Sequence, residues 1–234
     1  MYRRQFHFAT AGALASVLLT MPLRAQALSL ADLSNAEATK GLKAALEMGA
    51  STAVSLLGKP DGFLGNPKVR IGLPGSLEDA AKFMRMLGQG RRIDALVDAM
   101  NHAAEAAVPL ARDMLVAAVR SMTVTDARDI LTGGETSVTE FFAGKTRAPL
   151  RVKFLPVVTK VVARSDLADQ YNQIAGKASA MGLVRPEDAS VQGYVTGRAL
   201  DGLYLMIGDE ERKFRQNPLA AGNAAISKVF GALK

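Results

Sequence analysis

The sequence predicts an all-α protein, a single compact bundle-like domain of about nine or ten short helices. Three observations predict it. Apolar residues recur at three- and four-residue spacing almost from end to end. Helix-start and helix-stop residues punctuate that pattern. No run alternates apolar and polar residues between hairpin turns, so paired strands are not expected.

The elements follow in order. Ser34-x-x-Glu37 is a capping box, and Ala38, Leu42, Ala45, Leu46, Ala53 and Leu56 carry the helix behind it to about Leu57. Gly58-Lys59-Pro60-Asp61-Gly62 stops it and opens the main irregular segment, 59–75. Ser76-x-x-Asp79 reads as the next cap, and Gly88-Gln89-Gly90 as the next stop. A helix from Arg91 to about Val108 follows, then one with Pro109 in its first turn, reaching about Met122. Thr125 reads as the N-cap of a short helix closed by Gly133-Gly134. Further helices are expected over Ser137–Gly144, Pro149–Arg164 (kinked at Pro156), Asp166–Met181, Ser190–Arg215 and Pro218–Leu233.

Composition narrows the function classes. The chain has 234 residues, 49% hydrophobic and 22% charged, with no Cys and two His. So apolar a chain is not disordered, and it cannot be a disulfide scaffold. Two histidines, His7 and His102, rule out a His-rich centre.

Residues 1–27 read as a signal peptide: Arg3 and Arg4, an uncharged apolar run over 8–23, then Ala25-Gln26-Ala27 with cleavage after Ala27. The run is shorter than the ~20 residues that span a bilayer. Arg3-Arg4-Gln5-Phe6 resembles a twin-arginine signal, so export by the Tat or the Sec route is expected. The mature chain, 28–234, is then a periplasmic domain with no transmembrane segment. Arg3, Arg4 and Arg24 leave with the signal and no acid does, so the net charge of +7 becomes +4. That is no nucleic-acid footprint.

Familiar chemical signatures are missing or incomplete. Gly144-Lys145-Thr146 would end a phosphate loop, but Thr139 stands where that pattern needs glycine. No nucleophile elbow and no Ser-x-x-Lys pair occurs. Asp94, Asp98, His102 and Glu105 share one helix stripe, for which a solvated face is the simpler reading than a metal site. Between Glu140 and Asp166 there is no acid, and Lys145, Arg147, Arg151, Lys153, Lys160 and Arg164 interleave with Leu150, Phe154 and Val158. A basic amphipathic helix suits an anionic or amphipathic ligand. The plainer alternative is a core-facing helix whose cations pair with Asp209, Glu210 and Glu211. Gly193 and Gly197 lie one turn apart, which permits close helix contact, and Asp201 is in reach of Arg198.

Several strings together resemble one exported bacterial family, domain of unknown function 4197. They include Leu57-Gly58-Lys59-Pro60-Asp61-Gly62-Phe63 with Asn66, Arg70 and Ile71, and Asn101-x-Ala103-Ala104-Glu105. Ile130-Leu131-Thr132-Gly133-Gly134, Tyr171-Asn172, Leu200-Asp201-Gly202-Leu203 and Arg215-x-Asn217-Pro218 continue the likeness. The resemblance implies export and a single helical domain, and it carries no activity. Its motifs direct attention to Lys59, Asp61, Arg70, Asn101, Glu105, Asn172, Asp201 and Glu211. His102 stands where the motif often has Arg.

The expected function is non-enzymatic binding of an anionic or amphipathic small molecule or an envelope lipid. The candidate residues are Lys59, Asp61, Arg70, Asn101, Glu105, Arg147, Arg151, Lys153, Asn172 and Asp201. No catalytic residue, cofactor or metal is assigned. The alternative is a hydrolase working through carboxylates, which needs two of them converging in a pocket with one raised in pKa. A structural partner in an envelope complex would instead show a large exposed apolar patch.

Overall fold

A computed structural model describes residues 33–232. Within them run α1 (Asn35–Leu57), α2 (Gly75–Met84), α3 (Gly90–Ala107), α4 (Arg112–Arg120), α5 (Val124–Thr132), α6 (Ser137–Val162), α7 (Ala168–Ala180), α8 (Val191–Gln216) and α9 (Ala224–Gly231). No strand occurs among the described residues. A π turn over Arg85–Gln89 joins α2 to α3, and a 3-10 turn over Val108–Ala111 joins α3 to α4. Counted as continuous rods the helices are seven, slightly fewer than the nine or ten expected. The 1–27 segment lies outside the described residues.

Local chemistry sets most of the ends. Ser34 Oγ accepts from the Glu37 N–H at 3.2 Å, and Glu37 Oε2 accepts from the Ser34 N–H at 3.2 Å, closing the expected capping box. Other boundaries differ from the sequence reading. Pro74, not Ser76, precedes the first residue of α2. Thr123, not Thr125, caps α5, in a reciprocal box with Asp126. Pro218–Ala221 is a 3-10 turn, and Gly222 adopts φ 62° before Asn223 caps α9, so the last predicted helix is two pieces.

The largest difference is α6. Two helices were expected across Gly144 and Pro149, and one helix of 26 residues runs through. Val138, Phe142, Thr146, Leu150, Phe154, Val158 and Val162 form an unbroken four-residue row, and all are buried. Burying that row outweighs the backbone bonds lost at Pro149 and Pro156, because packing rather than propensity supplies most helix stability. The row packs on α8 and α3, while α1 covers α8 from another side together with α9. Thr146 interrupts the row without an orphaned hydroxyl: its Oγ1 lies 2.6 Å from Phe142 O and 2.9 Å from the Tyr204 hydroxyl.

α8 carries three consecutive buried carboxylates, Asp209, Glu210 and Glu211. The α6 cations do not meet them, contrary to the sequence reading. Asp209 takes Lys68 and Arg212, Glu210 takes Lys213, and Glu211 takes Arg215. Burial pushes Asp209 up, but the hydrogen bonds from Lys68 and Arg212 outweigh it and leave the carboxyl below its usual range. At Glu211 burial wins over Arg215, and the carboxyl is raised.

Glu37 also ties the two ends of the described chain together, accepting from Lys228 Nζ on α9 at 2.6 Å. Lys228, with Ser34, lowers its carboxyl from 4.5 to about 2. A depressed carboxyl stabilises the fold above its unfolded pKa and loses that contribution as pH falls through the folded one. The melting temperature of wild type is therefore expected to exceed that of Glu37→Gln above pH 4.5, and the gap to close as pH falls toward 2. A gap that stayed constant over that interval would contradict it.

Candidate functional site

The segment between α1 and α2 has no regular structure, yet Phe63, Val69 and Ile71 are buried. Its backbone polar groups therefore need partners, and α3 supplies them. Glu105 Oε1 accepts from the N–H groups of Phe63 and Leu64 at 3.0 and 3.1 Å. Asn101 Oδ1 accepts from Ile71 N at 2.8 Å, while its Nδ2 donates to Ile71 O at 2.9 Å and Val97 O at 2.8 Å. Tyr194 on α8 donates its hydroxyl to Gly72 O at 3.1 Å. Gly202 lets the loop lie directly on α8: a Cβ there would stand 2.9 Å from Phe63 Cε1 and 3.2 Å from Val69.

Held in this way, the loop presents Lys68 and Arg70 to one face of α8. Lys68, Val69, Arg70, Arg198, Asp201, Gly202 and Leu205 line a shallow groove of about 170 Å³. Its single acid is already engaged, since Arg147 on α6 donates to Asp201 Oδ1 at 2.7 Å. The Arg147 guanidinium also lies 5.2 Å from the Tyr204 ring centre. Lys68 is paired with Asp209, and Arg198 lies 5.8 Å over the Tyr194 ring. The expected Arg198–Asp201 pair is thus replaced by Arg147–Asp201. Arg70 is exposed, and no side-chain hydrogen bond or ion pair engages it among the described residues.

The ten sequence-predicted residues do not all converge. Arg70, Asp201 and Arg147 meet at the groove. Arg151 sits one turn beyond Arg147 on α6 and donates to Glu187 O at 2.9 Å. Lys153 is exposed elsewhere on α6. Asn101 and Glu105 lie beneath the loop as its anchors, at 0% and 6% exposure. Asn172 Oδ1 accepts from Val191 N at 2.8 Å, securing the start of α8 from α7. Lys59 and Asp61 are exposed at the far end of the loop, where Asp61 takes the left-handed turn position at φ 59°. Glu211 is engaged with Arg215.

The apolar face of α6 is not available to a ligand. Leu150, Phe154 and Val158 are all 0% exposed. The acidic stripe on α3 is not uniformly solvated either, since Glu105 is buried while His102 is half exposed, its Nε2 4.0 Å from Glu105 Oε2. Among the described residues no cluster of His, Asp and Glu is arranged to hold a metal ion, and no helix is long and apolar enough to cross a membrane.

Sequence reasoning missed Lys68 and Arg198 as site residues. Lys68 shares its short loop with Arg70, and Arg198 stands one turn before Asp201 and Gly202. Both are visible as spacings, but only the loop's tertiary seat makes them neighbours.

No curated protein and no solved structure matches the chain. A family profile described as protein of unknown function (DUF4197) matches residues 32–231. That span holds all nine helices, the anchored loop and the groove, and the chain belongs to this family.

Proposed function

We propose that the protein is an exported, periplasmic, non-enzymatic binding protein, and that it takes an anionic group, a phosphate or a carboxylate, in the groove between the α1–α2 loop and α8. The groove's charge carries the reading. Lys68, Arg70 and Arg198 converge on it, and its one acid is occupied by Arg147. Guanidinium forks match the oxygen spacing of both anion classes. The buried apolar row of α6 confines the contact to the head of any amphiphile. The acids most resembling a carboxylate pair, Asp209, Glu210 and Glu211, are each held by a cation, which favours binding over hydrolysis.

Calorimetric titration at low salt with inorganic phosphate, and with acetate, tests the reading. Vesicles of anionic phospholipid in a parallel arm separate a free anion from a lipid headgroup. Saturable binding by wild type is expected, weakened at least about tenfold in Arg70→Glu/Arg198→Glu, since two charge-assisted contacts become repulsive. Lys153→Glu, outside the groove, is expected to bind as wild type does. Equal binding by the double variant, or no saturation by wild type with any of the three probes, would remove the proposal.

A further inference from the structure

A second concavity lies between α2 and α7. Two depressions, of about 460 and about 60 Å³, share Leu77, Tyr171 and Ile174 and so form one trough. The larger is of the size that encloses small molecules, ~300–1,000 Å³. Pro74, Leu183 and Tyr194 line one part, and Leu73 and Met84 the other. The rim is apolar and open to water: Ile174 is 50% exposed and Leu183 is 72% exposed.

The polar groups of the trough are matched except for one. Arg185 donates to Asp188 Oδ2 at 2.8 Å, and Tyr194 donates to Gly72 O. Tyr171 is 4% exposed, and its hydroxyl has no hydrogen-bond partner among the described residues. A buried hydroxyl without a partner is uncommon and destabilising. Burial raises the Tyr171 pKa, with Tyr194 and Asp188 adding to the effect, so the phenol keeps its proton and remains a donor.

We infer that this trough is a binding site for an uncharged amphiphile, a slender alkyl chain carrying one acceptor oxygen such as a long-chain alcohol or ester, with Tyr171 donating to that oxygen. The alkyl part covers the apolar walls. The head is uncharged because Asp188 faces the trough and the one cation lining it, Arg185, is already paired with Asp188. An anionic head would meet that carboxylate without a free counter-charge. Tyr194 separates this site from the cationic groove: its ring lines the trough, and Arg198 of the groove lies over that ring. The ligand class therefore differs from the anion proposed there.

Calorimetry of the purified protein with decanol, decanoate and decane tests the assignment without involving Arg70 or Arg198. Decanol is expected to saturate wild type. Tyr171→Phe, which keeps the ring, is expected to weaken decanol about fivefold, the loss of one neutral hydrogen bond, and to leave decane unchanged. Ala178→Trp, which fills the trough, is expected to abolish binding of both. Without ligand, Tyr171→Phe is expected to melt no lower than wild type, because it removes a hydroxyl that has no partner. Decanoate binding as tightly as decanol, equal decanol affinity in wild type and Tyr171→Phe, no saturation by decanol, or a lower melting point for Tyr171→Phe would each overturn the assignment.

Discussion

Asn101→Ala is expected to lose about 4 kcal/mol of stability, among the largest effects available to one substitution, because two buried backbone groups are orphaned at about 1–3 kcal/mol each. The Ile71 N–H and C=O both end on this side chain, and nothing else bonds them. Asn101→Asp is expected to be at least as damaging. It keeps an acceptor for Ile71 N but turns the donor into a second acceptor facing Ile71 O and Val97 O. Glu105→Gln is the milder counterpart, about 1 kcal/mol, because an amide oxygen can still accept from Phe63 and Leu64. Denaturant melts of the three variants measure the order. A loss below about 1 kcal/mol in Asn101→Ala would mean that the loop is held by its apolar side chains alone. Since the same loop carries Lys68 and Arg70, phosphate binding is expected to fall with loop anchoring even where the variant still folds.

These anchors show where sequence reading succeeds and where it stops. Helix content, the irregular segment after Leu57 and the caps at Ser34 and Ser190 depend on neighbours within a turn, so they are legible as spacing. The run of α6 through Pro149 was not, because it is decided by a row of side chains that finds its partners on α8 and α3. The site behaves likewise. Asn101 and Glu105 attract attention as polar residues on an apolar helix, but whether they meet a ligand or a backbone depends on a loop 30 and 42 residues away. Asp201 was paired in sequence with its helix neighbour Arg198, and a partner 54 residues distant takes it instead. Tyr171 carries no pattern that marks it. Its unmatched hydroxyl exists only through the packing of α7.

Gly193→Ala and Gly197→Ala, one turn apart on α8, are expected to change stability in opposite directions. Both glycines face the connection from α7, and both read in sequence as small-residue contact points. At Gly193 a Cβ would run into the Glu187 carbonyl oxygen and stand 3.2 Å from Ser190 Oγ. The Glu187 oxygen is backbone, and Arg151 holds it at 2.9 Å, so it cannot move aside without releasing α6. Ser190 Oγ is likewise committed, accepting from the Gly193 N–H at 3.1 Å as the cap of the helix. The clash is expected to cost about 2–4 kcal/mol and to free the 3-10 turn at Pro186–Asp188 from α8. At Gly197 the nearest atoms are Arg151 Nη1 and Asp188 Oδ1, each 3.8 Å from the new carbon, which is ordinary contact. Alanine there keeps the packing and adds helix propensity, about 0.5–1 kcal/mol of stabilisation. Thermal melts of the two variants decide it. A Gly197→Ala protein that melts as low as Gly193→Ala would mean that Arg151 and Asp188 press on α8 more closely than 3.8 Å allows, and that both glycines are required for the approach.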